Sequence, residues 1–208
     1  MSASRSRSLK WCLAIVLFLA AFAGARFVFG SPKFDPDRVA ESETRMWQAY
    51  YTGDRTQLGL ELISLLRYQY SISLLEARDI AERLANAALK FHAAKGNYET
   101  VVLPELTDAY RRIKQASSGT FDPDAVARAE LAWWVARRMP GQNSAEQVGE
   151  KIAKLYALLY GVDRPSFHTA GRLRAEAAKL RDSGRESTDW KEVQRLLIES
   201  YREVQKGM

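Results

Sequence analysis

Two glutamates occupy equivalent places in two similar stretches of the chain, and each interrupts a helical stripe of apolar or aromatic residues. Glu43 lies in FDPDRVAESETRMW (34–47) and Glu130 in FDPDAVARAELAWW (121–134), which share eight of fourteen residues. With helical periodicity, each carboxylate shares one face with its neighbours at i−4, i+3 and i+7. The two faces are Val39, Glu43, Met46 and Tyr50, and Val126, Glu130, Trp133 and Arg137.

A carboxylate in such a stripe has two interpretations. In a structural role, each glutamate pairs with a nearby arginine or caps the end of a neighbouring helix. In a functional role, the two carboxylates approach one pocket between the similar halves and bind a small ligand there. Spacing leaves both interpretations open, so Glu43 and Glu130 are candidate ligand-binding residues.

A second candidate site follows Glu130 directly. Trp133 and Trp134 are followed by Arg137 and Arg138, and adjacent helical residues point about 100° apart. Exposed aromatic and arginine side chains are typical of protein interfaces, which makes these four residues a candidate interaction surface. The same side chains could equally form a cation–π cluster within the core.

Other chemistries lack the residues they need. The chain has two histidines, His92 and His168, and neither has a glutamate three positions before it, so the Glu-x-x-His pattern of dimetal bundles is absent. The single cysteine, Cys12, precedes the predicted domain, and no G-x-S-x-G motif or phosphate-binding glycine loop occurs. We therefore predict no catalytic residue, no metal and no cofactor.

The similarity between the two halves extends beyond their opening residues. Three further pairs of segments align in the same order: 57–70 with 147–160, 83–91 with 172–180, and 102–114 with 193–205. The offset stays between 87 and 91 residues, as small loop insertions and deletions would produce. This pattern predicts a tandem duplication, with units at 31–118 and 119–208 packed as one domain after an N-terminal segment at 1–30.

The sequence of each unit predicts four helices and no strand. The expected fold is therefore all-α with about eight helices. Asp35 and Asp122 are predicted N-caps, and a proline follows each at the first helical position. The predicted helices span 36–52, 55–70, 74–95 and 98–116, then 123–138, 144–160, 166–183 and 188–206.

The stretch LANAALKFHAAKGNYETVVLPELTDAY (84–110) resembles a tetratricopeptide-type hairpin. It has the small residues, the aromatic residue and the G-N-Y-E sequence that opens the return helix. The stretch ending in DWKEVQRLLIESY (189–201) is similar to a lesser degree. The resemblance implies that the third and fourth helices of each unit pack as a hairpin.

The N-terminal segment predicts contact with a membrane. Three basic residues precede an uncharged stretch, WCLAIVLFLAAFAGA, which Arg26 and FVFG follow. As a helix, residues 11–30 would be about 30 Å long, roughly the thickness of a hydrocarbon core. This favours a single-pass anchor with the N-terminus in the cytoplasm and the helical domain outside it. The alternative is a signal peptide cleaved near Ala25, after the A-x-A pattern that begins at Ala23.

The charge distribution argues against nucleic-acid binding. The net charge is +6, and four of the basic residues lie in the first 26 positions. The rest of the chain has 27 basic and 25 acidic residues, so its charges nearly balance. The expected function is a membrane-tethered extracytoplasmic interaction or accessory module, for example a subunit of a membrane complex. Its partner would be another membrane or extracytoplasmic protein. The alternative is a small-ligand-binding or enzymatic helical domain with a pocket between the repeats.

Overall fold

The computed structural model describes residues 30–184 and 187–208. Within these ranges the chain forms nine α-helices and no strand, which confirms the all-α prediction. The helices are α1 (Pro36–Thr52), α2 (Arg55–Tyr70), α3 (Leu74–Ala93), α4 (Tyr98–Val101), α5 (Leu103–Ser117), α6 (Pro123–Arg138), α7 (Ala145–Tyr160), α8 (Pro165–Gly184) and α9 (Trp190–Gly207).

The two F-D-P-D sequences begin helices as predicted. The Asp35 carboxylate accepts hydrogen bonds from the backbone N–H groups of Asp37 and Arg38, both at 3.1 Å. The Asp122 carboxylate accepts one from Asp124 at 3.1 Å. Because a side-chain acceptor satisfies amide groups that lack a partner within the helix, these aspartates determine where α1 and α6 begin.

The helix predicted over 98–116 is in fact two helices, α4 and α5. Pro104 lies in the first turn of α5, where its missing N–H cannot continue a preceding helix. The helix is interrupted at Val102, where φ is −106° and ψ is −43°. The prediction of one continuous helix was therefore wrong.

The eight longer helices form a closed ring. Each packs against the next one along the chain, and α9 packs against α1, while the short α4 lies beside α3, α5 and α6. At the junction of α9 and α1, the Arg202 guanidinium makes two 3.1 Å contacts with the Asp37 carboxylate. The apolar faces of the helices form one continuous core within this ring.

None of the helices in 30–184 and 187–208 is long and apolar enough to cross a bilayer. The anchor predicted for residues 11–30 and the cleavage point near Ala25 lie, apart from Gly30, outside the described residues.

Candidate ligand-binding cavity

A cavity of about 250 Å³ lies within the ring of helices. Seven of the eight longer helices, α1–α3 and α5–α8, contribute side chains to its wall, and most of these are apolar or aromatic. Its mouth lies where α1, α3 and α6 end, because the cavity residues Tyr50, Tyr51, His92 and Arg138 are exposed there.

Glu43 lies on the cavity wall in a buried ion pair. Its side chain is 1% exposed and accepts hydrogen bonds from Arg174 Nη2 at 2.7 Å and Arg174 Nε at 3.1 Å. Its other oxygen accepts a 2.6 Å hydrogen bond from the Tyr201 hydroxyl. Although burial opposes ionisation of Arg174, the adjacent carboxylate raises the pKa of this guanidinium well above its usual value. Glu43 is therefore held by two helices of the second half of the chain.

Glu130 lies on the wall of the same cavity, with neutral partners. It is 8% exposed, and its carboxylate accepts hydrogen bonds from the Tyr110 hydroxyl at 3.0 Å and from Trp134 Nε1 at 2.7 Å. Burial and the Glu130 charge together raise the pKa of Tyr110 well above its usual value. The structural and functional interpretations of the two glutamates thus overlap, because both are satisfied by protein donors and both line one cavity.

The two clusters use positions that the sequence alignment pairs. Tyr110 aligns with Tyr201, and Glu130 with Glu43, so the fourth predicted helix of each half donates a tyrosine hydrogen bond to the first helix of the other half. The clusters differ in one residue, because Arg174 aligns with Ala85. Glu43 consequently has a cationic partner, whereas Glu130 accepts its hydrogen bonds from neutral donors.

Arg174 was not among the predicted site residues, although the sequence carries a signal for it. Arg174 and Arg181 lie seven positions apart in α8, so they share a helix face with the small, buried residues Ala170, Ala177 and Ala178. Two arginines on an alanine-rich buried face indicate buried carboxylate or aromatic partners. The structure provides both kinds, since Arg181 lies 4.1 Å from the centroid of the Trp47 ring.

The four residues of the predicted interaction surface all line the cavity. Trp133 is 6% exposed, Trp134 and Arg137 are half-buried, and Arg138 is exposed. The two indole rings meet edge to face, with their centroids 6.2 Å apart. Arg138 stacks on Phe91 at 3.8 Å and donates a 2.9 Å hydrogen bond to the Phe91 carbonyl. These side chains therefore form part of the cavity wall and its mouth.

Two arginines near the mouth share a single acidic partner. Asp182 lies 2.8 Å from Arg181 Nη2 and 3.4 Å from Arg137 Nε, and it also accepts a 2.9 Å hydrogen bond from the Tyr51 hydroxyl. Burial, and secondarily repulsion from Arg181, lowers the pKa of Arg137 to about 10. The mouth therefore has more cationic than anionic groups.

A metal site is not evident in the part of the chain that the structure describes. This part contains no group of three or more histidine, cysteine or acidic side chains that could hold a metal ion. No family model matches the chain, and no curated protein or solved structure is significantly similar to it.

Proposed function

We propose that this protein binds a small, mostly apolar organic molecule in the cavity within its helical ring. The observation that carries the proposal is one concave site to which seven helices contribute, lined by aromatic side chains and a few oriented polar groups. Such a combination is typical of small-molecule sites. The volume of about 250 Å³ is below the roughly 300–1,000 Å³ of drug-sized sites, which favours a ligand of one or two rings.

The hydrogen bonding of the carboxylates favours binding over catalysis. Glu43 has both oxygens engaged by Arg174 and Tyr201, and Glu130 has both engaged by Tyr110 and Trp134. A general acid or base needs access to a proton on the substrate, which these bonds would have to release. We infer that the glutamates shape and rigidify the cavity wall.

We propose further that a tandem duplication produced this cavity. The reciprocal bonds from Tyr110 to Glu130 and from Tyr201 to Glu43 support it, because equivalent residues make equivalent contacts between the halves. The α3–α5 and α8–α9 pairs, which pack side by side, are in keeping with the hairpins implied by the tetratricopeptide resemblance. A cavity formed between two such units contains polar groups because each unit contributes one carboxylate to its wall.

The membrane tether and the protein partner stay predictions. An anchor at residues 11–30 would hold the cavity close to a bilayer on the extracytoplasmic side, where small apolar compounds partition. The intact mass of the chain recovered from membranes tests this placement. A chain that begins near Arg26 would show that the segment is cleaved.

Titration of the full chain with neutral 1-naphthylacetamide tests the binding function. Ala88 lines the cavity, whereas its neighbour Leu89 is 66% exposed and lies outside the lining. We expect saturable binding by calorimetry, which Ala88→Trp weakens about tenfold or more by obstructing the mouth of the cavity, because Ala88 is exposed there. The matched control Leu89→Trp should leave the affinity unchanged. Equal affinities of the two variants, or absence of binding by both this amide and the isosteric acid 1-naphthylacetate, would overturn the proposal.

A further inference from the structure

The hydrogen-bonding groups on the cavity wall differ in whether the protein already engages them. The acidic residues of the wall, Glu43 and Glu130, have protein donors on both oxygens. In contrast, Trp133 Nε1 is buried and has no acceptor among the described residues. Because this atom is inaccessible even from the cavity, the polar group of a ligand has to be bound by an accessible donor instead.

Two guanidinium groups flank the Trp133 ring, and they differ in availability. Arg174 lies 5.2 Å from the ring centroid, and two of its nitrogens bind Glu43. Arg137 lies 5.7 Å from the centroid, and its contact with Asp182 is a single one of 3.4 Å from Nε. Arg137 is therefore the cation beside Trp133 with donors to spare.

Among the residues that the structure describes, the positive charge around Arg137 is not fully balanced. Arg137 and Arg181 share Asp182, while the nearby Arg138 donates to a neutral backbone carbonyl. A half-buried guanidinium is stabilised when an anion pairs with it. The position of Arg137 between the mouth and Trp133 lets an acid group approach it without displacing the core.

We propose that the ligand is a carboxylic acid with an aromatic or alicyclic body, whose carboxylate binds the Arg137 guanidinium. This inference rests on the proposed binding function. The planar guanidinium matches the two oxygens of a carboxylate, and the apolar body occupies the aromatic part of the cavity. The positive mouth also attracts an anion from solution.

An isosteric ligand pair separates this inference from the proposed function. The full chain is titrated by calorimetry with 1-naphthylacetate and 1-naphthylacetamide, which have nearly the same shape and differ in charge. We expect the carboxylate to bind about tenfold or more tightly than the amide. Equal affinities would overturn the anion site and leave the binding function standing. Failure of both ligands to bind would overturn both proposals.

Variants of Arg137 identify the residue that carries the preference. Arg137→Gln should remove the preference for naphthylacetate while the amide still binds, and Arg137→Lys should keep part of it. The control is Arg195→Gln on the exposed face of α9, where Arg195 pairs with Glu192 and Glu199 outside the cavity. Amide binding verifies that each variant is folded. An unchanged preference in Arg137→Gln would overturn the assignment.

Discussion

The Tyr201 hydroxyl donates a 2.6 Å hydrogen bond to Glu43, and this bond joins the last helix of the ring to the first across 158 positions of sequence. The same carboxylate pairs with Arg174 of α8. Three helices therefore converge on one buried anion. The equivalent anion, Glu130, connects α5 and α6, which are adjacent along the chain.

We expect Glu43→Gln to destabilise the fold more than Glu130→Gln. Loss of the Glu43 charge leaves Arg174 buried without an anionic partner, which costs about 3–5 kcal/mol. Glu130 has neutral donors, so the neutral amide should cost about 1–3 kcal/mol. Urea denaturation of the full chain, followed by tryptophan fluorescence, measures the difference.

The control for this comparison is the double variant Glu43→Gln/Arg174→Met. Removal of both partners leaves no uncompensated charge. The double variant should therefore lose less free energy of unfolding than the single variants Glu43→Gln and Arg174→Met lose together. Equal losses for Glu43→Gln and Glu130→Gln would contradict the distinct roles of the two glutamates.

The repeated glycine of the two halves gives a second prediction. Gly59 and Gly149 align, but a Cβ on Gly149 would lie 2.9 Å from the backbone of Arg172, whereas one on Gly59 would meet nothing within 4 Å. We expect Gly149→Ala to cost about 1–3 kcal/mol through overpacking of α7 against α8. Gly59→Ala should stabilise α2 by about 0.5–1 kcal/mol. Thermal denaturation of both variants checks the sign, and a loss of stability in both would refute the argument.

Local signals in the sequence predicted the helices well. They could not predict which side chains from distant parts of the sequence pair with each other. Asp35 and Asp122 act on amide groups two or three residues away, so their role follows from the sequence alone. The break at Val102 was also local, and the signal that was overlooked is Pro104. In contrast, the pairing of Glu43 with Arg174 spans 131 positions, and no spacing within a helix determines it.

The aromatic residues show the same limit at the candidate site. Trp133 and Trp134 were correctly placed on one helix, and their composition suggested a protein interface. Only the closure of the ring determines that both face a cavity. Helical periodicity identifies which residues share a face. It does not identify whether the face meets solvent, another protein or an internal space.

Alkaline pH should destabilise the protein from about pH 10 upward. Burial raises the pKa of Tyr110, Tyr160 and Tyr201 well above the usual value of 10.0. The folded state thus retains protons that the unfolded state loses, so the stabilisation is complete below pH 10 and is lost as the pH rises through the folded-state values. In that range each tyrosine lowers the free energy of unfolding by about 1.4 kcal/mol per pH unit. Arg137 acts in the opposite direction, since its pKa is lowered to about 10, but it is one group.

Urea denaturation between pH 9 and pH 11 tests this expectation, with ionisation of tyrosine followed by absorbance near 295 nm. Tyr201→Phe is the matched variant, because it removes one of the three hydroxyls and keeps the ring. Its stability should fall less steeply with pH than that of the parent chain. A free energy of unfolding that stays constant up to pH 11 would show that the tyrosines titrate normally in the folded state.

Circular permutation tests the closed ring and the duplication together. Arg202 near the end of α9 contacts Asp37 at the start of α1, so a short flexible linker can join residue 208 to residue 34. A new start at Phe121 and a new end at Ser118 separate the two predicted units and leave every helix intact. We expect this permutant to fold with the same helix content by circular dichroism and to bind the neutral naphthyl probe as the linear 34–208 chain does.

A permutant opened within α7, between Ile152 and Ala153, is the control and should be unfolded, because it interrupts the helix that packs closely on α8. If both permutants are unfolded while the linear 34–208 chain folds, the junction of α9 and α1 does not pack like the other helix–helix interfaces of the ring.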